Sequence, residues 1–175
     1  GPAISNRTPG FSWATYPERL QAAGVSWKVY QNTADNYDDN ALAHFTQYRN
    51  ARPGNPLHDF GMSSVPSVSG DTVTDIVSAI RQDVVNGTLP QVSWIVGPES
   101  ASEHPACSPA AGADMINRVL EALTADPAVW ASTVLFLNYD ENDGYFDHVS
   151  PPVPPRGTAD EFVAGAPIGL GPRVP

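Results

Sequence analysis

The sequence predicts an α/β domain, a mostly parallel sheet flanked by helices. Two observations carry this. Helical and strand-like patterns alternate along the chain, the order expected of a sheet whose strands are joined by helical crossovers. The run TVLFL at 133–137 is the most apolar strand pattern in the chain, and a polar loop follows it directly. A second polar loop, 97–111, follows another strand pattern at 91–96. In sheets of this kind, ligands bind beyond the carboxyl ends of the strands.

The elements follow in order. Thr15, Pro17 and Glu18 form a helix start, with a capping hydroxyl, a proline in the first turn and an acid three residues after the cap. Gly24 stops that helix. Residues 25–30 alternate as a strand, and the loop 32–40 after them holds Asp35, Asp38 and Asp39, which suit turns and caps or could face a substrate. A second helix is expected over about 40–49, with Leu42, Phe45 and Tyr48 on one face. Residues 51–70 are rich in Pro, Gly and Ser and read as loop.

Asp71 or Thr72 opens a longer helix with Val73, Ile76, Val77, Ile80 and Val84 inward, ending at Gly87. Residues 91–96 are expected to be a buried strand. A helix follows from about 113 to 125, with Met115, Ile116, Val119, Leu120 and Leu123 inward, and Pro127 opens one more turn. The last 30 residues hold seven prolines and little periodicity. Trp27, Trp94 and Trp130 lie in or beside core elements and read as packing residues, whereas Trp13 falls in a loop.

Composition narrows the function. The chain has 175 residues, enough for one domain with a core, and 41% of them are hydrophobic. A net charge of −10 makes it a poor binder of nucleic acid and, less strongly, of anionic membranes. A zwitterionic lipid head group is not excluded. The single cysteine, Cys107, forbids an internal disulfide and reads as a buried or incidental thiol. No apolar stretch reaches the ~20 residues of a membrane span, and there is no secretory signal pattern. Eighteen prolines and 14 glycines predict long ordered loops, where sites usually sit.

Two loops carry chemistry. In YDENDGYFDH, at 139–148, four carboxylates, an amide and an imidazole fall within nine residues. Adjacent acids repel, so such density is costly without a cation or a partner, and a hard divalent cation prefers these oxygen donors. His148 widens the choice to transition metals. The residues alone read equally as a solvated acidic turn, and the spacing lacks the regular alternation and distal glutamate of an EF-hand.

The second loop holds Glu99, Glu103, His104 and Cys107. A histidine beyond a strand can bind phosphate or protonate a leaving oxygen, but equally can be a surface imidazole bonded to Glu103. His44 reads as a solvated helix residue, and His58 sits in a loop. No Gly-x-Ser-x-Gly elbow, phosphate-binding glycine loop or evident nucleophile is present.

Together the segments resemble one family. TYPERLQAAGVSWKVYQ at 15–31, DDNAL at 38–42, GTLPQVSWIVGPE at 87–99, SEHP at 102–105, NYDENDGYFDHVSPP at 138–152 and PIGLGPRVP at 167–175 are similar to runs of the bacterial phospholipase C and acid phosphatase family, related in fold to alkaline phosphatase. The resemblance implies an alkaline-phosphatase-like fold and metal-dependent hydrolysis of a phosphate ester. Phosphatidylcholine-type phosphodiesters are favoured over phosphomonoesters by the 15–31 block.

Residue by residue, Asp140 and Glu141 match the acidic pair that binds the active-site divalent metal, and His104 matches the catalytic histidine. Glu103 and His148 fall in matching blocks and are expected at the substrate, while Asp147 and His148 match a motif that lies at or just behind the metal.

The family's N-terminal Arg-Ser-Phe-Asp block and its hydroxyl nucleophile in a Gly-Pro-Thr/Ser segment have no counterpart here. The 175 residues therefore read as an internal piece of a longer enzyme, whose partner is the remainder of the same enzyme, and the resemblance implies that this enzyme is exported (extracellular or periplasmic). By themselves they are expected to be inactive. The competing readings are a non-catalytic metal-binding piece and a calcium-stabilised structural domain.

Overall fold

The computed structural model describes residues 10–139, 148–169 and 171. The chain divides into two units, Gly1–Thr133 and Val134–Pro175.

The first unit begins with α1, Tyr16–Ala22. The Glu18 carboxylate accepts from the Thr15 backbone N–H at 2.8 Å and from its hydroxyl at 2.9 Å. The Thr15 oxygen lies 2.7 Å from the Tyr48 hydroxyl, which ties the helix start to the core. Gly24, at φ +70°, turns the chain into β1, Trp27–Tyr30. β1 pairs in parallel with β2, Val92–Ile95, in the register Trp27↔Val92 to Tyr30↔Ile95.

Between the strands lie α2 (Thr46–Arg49), α3 (Pro56–Asp59) and α4 (Thr72–Val85). After β2 come α5 (Pro109–Leu123) and α6 (Pro127–Trp130). Among the described residues no helix is long and apolar enough to cross a membrane.

The two faces of β1 explain the core. Successive strand residues point to opposite sides. Tyr30 joins Ile76, Ile80 and Val84 of α4 and Met115, Val119 and Leu123 of α5. Trp27 joins Leu20 and Tyr48 on the other side, with Leu42, Phe45 and Trp94 packed against them. Trp27, only 2% exposed, also donates its indole N–H to Gln21 Oε1 at 3.1 Å, so it is a packing residue. Trp13 stays 59% exposed.

Several expectations change. The helix over 40–49 is two short turns, because Phe45 is extended (φ −101°, ψ 132°). Its flanking backbone pairs with Phe11 instead: Phe11 donates to the His44 carbonyl, and Thr46 donates to the Phe11 carbonyl, both at 2.9 Å. The 51–70 loop contains α3, capped by Asn55. α5 begins four residues earlier than the expected start at about 113, at the Ser108-Pro109 cap.

β2 is not buried; Ser93 is exposed and its neighbours are half-buried, because β1 is its only partner among the described residues. The 133–137 run forms no strand. Val134 and Phe136 are 75% and 81% exposed. An apolar run becomes a strand only where a ladder partner satisfies its backbone, and none exists for it among the described residues. His44 is not solvated at Nδ1, which is buried without a partner among the described residues.

The second unit contains a short antiparallel hairpin, β3 (Phe162–Val163) and β4 (Ala166–Pro167), which the sequence pattern did not reveal. Its two-residue loop, Ala164 and Gly165, has φ of +50° and +83°, as a tight hairpin turn requires.

One polar cluster anchors α4 to β1. Asp83 accepts from the Tyr30 hydroxyl at 2.6 Å, the Lys28 ammonium at 3.0 Å and the Thr88 hydroxyl at 2.9 Å. Burial pushes the Asp83 carboxyl up, but the bonds from Tyr30, Lys28 and Thr88 outweigh it and hold it below the usual range. Burial and the adjacent Asp83 raise the Tyr30 phenol.

A depressed carboxyl contributes stability above its unfolded pKa, and that contribution is lost as pH falls through the folded value. Asp83→Ala leaves a buried hydroxyl and an ammonium without their acceptor. We expect it to destabilise the fold by about 2–3 kcal/mol at neutral pH, measured by urea unfolding. The difference from wild type should shrink below about pH 4.

Candidate active site at the carboxyl ends of the parallel strands

Because β1 and β2 run parallel and end in register at Tyr30 and Ile95, the loops after them leave on the same edge. That edge is where parallel sheets bind ligands. A concavity of about 440 Å³ lies beside Trp27, Lys28, Phe60 and Asp83. Its lining includes Ser26 and Pro90, which precede the strands, so it opens at the amino ends and away from these loops.

The loop after β1 is held from inside. Gln31, fully buried, donates to the Gly61 carbonyl at 3.1 Å and accepts from the Asn36 and Asn40 amides, both at 3.0 Å. Asn40 also donates to the Gly61 carbonyl at 2.8 Å. These buried polar groups satisfy one another, so the loop is rigid without regular structure. Within it Tyr37 and Asp38 hold left-handed backbones, at φ +52° and +60°. Such conformations cost about 1–2 kcal/mol each in a non-glycine residue and persist only where surroundings enforce them.

The loop after β2 is a compact turn. The Ser102 hydroxyl donates to the Glu99 carbonyl at 2.8 Å, and the His104 N–H donates to Ser102 Oγ at 3.2 Å. The Cys107 N–H donates to the His104 carbonyl at 2.6 Å, and its thiol donates to the Glu99 carbonyl at 3.0 Å. Cys107 is thus half-exposed and structural rather than a buried thiol. Glu103, immediately before His104, is left-handed at φ +61°.

Glu103's side chain lies against buried Gly112 of α5, where a Cβ would overlap it. Gly112→Ala should therefore displace Glu103 while raising helix propensity by about 1 kcal/mol. The sequence expectation that Glu103 meets the substrate then predicts a raised KM in protein that remains folded. An unchanged KM would remove Glu103 from the substrate.

The two loops meet. Asp35 accepts from the Glu99 N–H at 3.2 Å through one oxygen and from the Thr72 hydroxyl at 3.0 Å through the other. The Tyr37 and His104 ring centroids lie 5.1 Å apart, tilted by 53°. The His104 imidazole is half-buried, in contact with Tyr37. It lies at the carboxyl-end edge of the sheet, where parallel sheets bind ligands.

Of the residues singled out by sequence, His104 and Glu103 are thus placed side by side at this edge. Asp35, read there as a turn or cap residue or as one facing a substrate, and Tyr37 join them. His148 is exposed, in a bend of the second unit. Asp140, Glu141 and Asp147 lie outside the described residues.

The model of the Phosphoesterase family matches residues 3–175. The chain belongs to this family. Among curated proteins, it is 46% identical to a non-hemolytic phospholipase C of Burkholderia pseudomallei, over 100% of this chain and 29% of that protein. It is 46% identical to a non-hemolytic phospholipase C of Pseudomonas aeruginosa, over 95% of this chain and 26% of the relative. It is 42% identical to phospholipase C B of Mycobacterium tuberculosis, over 94% of the chain and 33% of the relative. The chain therefore spans only about a quarter to a third of these relatives' length.

The family match covers both loops and the acidic run at 139–148. Tyr37 escaped the sequence reading because an aromatic in a polar loop carries no periodic signal. The one available clue was that its loop, like that of His104, follows a strand.

Proposed function

We propose that this chain contributes part of the active site of a phospholipase C, which hydrolyses the phosphodiester of phosphatidylcholine-type lipids. The observation that carries this reading is the 46% identity, along the whole chain, to a protein named phospholipase C. The half-buried His104, held between two loops at the carboxyl ends of the strands, agrees with it.

The donor chemistry of Asp140 and Glu141 fits a divalent metal, since adjacent carboxylates supply the charged oxygens a hard cation requires. Such a cation, when bound, stabilises negative charge on phosphoryl oxygens.

The chain's own residues supply part of the chemistry. His104 acts as the general acid, passing a ring proton to the leaving alkoxide oxygen. The resemblance assigns Glu103 and His148 each to substrate binding and Asp147 to the acidic run. The nucleophile, the remaining ligands and the rest of an alkaline-phosphatase-like sheet come from the remainder of the enzyme. In that setting the exposed 133–137 run gains its ladder partners. We further infer an exported enzyme, acting outside the cytoplasm on lipid.

The test is a comparison, in the full-length protein, of kcat/KM for a choline phosphodiester and for a simple phosphomonoester. A clear preference for the diester is expected. Preference for the monoester would move the reading to an acid phosphatase. Metal-dependent melting without turnover of either ester would leave a structural metal-binding piece.

A further inference from the structure

The loop after β1 touches the His104 loop through Asp35 and Tyr37. We propose that Asp35 and Tyr37 are positioning residues for His104: Asp35 locks the two strand-end loops together, and Tyr37 fixes the tilt of the imidazole.

The geometry is specific. The two Asp35 oxygens have separate partners, the Glu99 N–H at the start of the His104 loop and the Thr72 hydroxyl at the start of α4. One carboxylate thus bolts the β1 loop to the β2 loop and to the core helix behind both. The backbone on the His104 side is already closed by Ser102, Cys107 and Glu99, so its remaining freedom is rotation of the imidazole.

Tyr37 limits that rotation. Its ring lies 5.1 Å from the His104 ring. Its left-handed backbone, followed by a left-handed Asp38, directs the chain to that contact at an energetic cost. A general acid off its line of transfer by about 1 Å can lose about 10²-fold in rate, so constraining one ring has a kinetic consequence.

The catalytic meaning of this inference rests on the proposed role of His104, but the contact itself does not. The experiment therefore has two readouts on the full-length protein: the imidazole ¹H–¹³C resonance of His104, assigned with His104→Gln, and kcat against KM.

Tyr37→Ala and Asp35→Ala should move the His104 resonance toward that of free histidine. Each should lower kcat by about 10–100-fold with KM changed by less than about twofold. Tyr37→Phe keeps the ring. Asp35→Asn keeps an acceptor for the Glu99 N–H and can donate to the Thr72 hydroxyl. Both should restore the resonance and most of kcat, with melting temperatures near wild type, so the proposal stands or falls on folded protein.

An unmoved His104 resonance in Tyr37→Ala and Asp35→Ala overturns the proposal. So does a loss in Tyr37→Phe equal to that in Tyr37→Ala. A moved resonance with unaltered kcat upholds the positioning contact and removes His104 from the chemistry.

Discussion

The proposed metal site predicts that full-length protein carrying Asp140→Asn and Glu141→Gln holds no divalent metal and hydrolyses phosphoesters at least about 10³-fold more slowly than wild type. The substitutions keep the shape and one oxygen of each side chain but remove two negative charges. A hard cation held by oxygen donors depends on that charge, and neutral amides do not replace it. Several kcal/mol of charge stabilisation at the phosphoryl oxygens would go with it, which sets the size of the effect. Metal analysis of the purified protein and initial rates check the two halves separately. A variant that keeps about one metal per chain, or keeps most of its rate, would return the 139–148 run to an acidic surface turn.

His104→Ala is expected to lower kcat by about 10²–10⁴-fold, the usual range for a positioned general acid. The loop should survive the change. Its bonds from the His104 N–H to Ser102 and from the Cys107 N–H to the His104 carbonyl are made by backbone and by neighbouring side chains. The loss should be much smaller with a p-nitrophenyl ester of phosphocholine, whose leaving group needs no proton. An equal loss with both substrates would show that His104 contacts the phosphoryl group instead of the leaving oxygen.

What could be read from sequence was what is local. The Thr15–Glu18 cap and the apolar stripes of α4 and α5 depend on neighbours within a few residues; the cap and the α4 stripe appear where expected, and in α5 Met115, Val119 and Leu123 are buried while Ile116 and Leu120 are only half-buried. The Ser108-Pro109 start of α5 was equally local but lay outside the apolar stripe, so the periodicity missed it. Phe45 breaks its helix because of Phe11, distant in sequence, and no periodicity in 40–49 carries that information.

The same limit applies to strands. β1 and β2 were recognised, whereas 133–137 has the composition of a strand and lacks a partner among the described residues. At the site, His104 and Glu103 were found from their place after a strand. The Asp35 bond to Glu99, spanning 64 residues, became visible only once the parallel pairing brought two loops to one edge.

The most direct test of the central claim is the product formed from phosphatidylcholine by the full-length protein, followed by ³¹P NMR. Phosphocholine and diacylglycerol are expected, from cleavage on the glycerol side of the phosphodiester. Phosphatidic acid as the phosphorus product, or phosphatidylcholine left intact while phosphomonoesters are consumed, would contradict it.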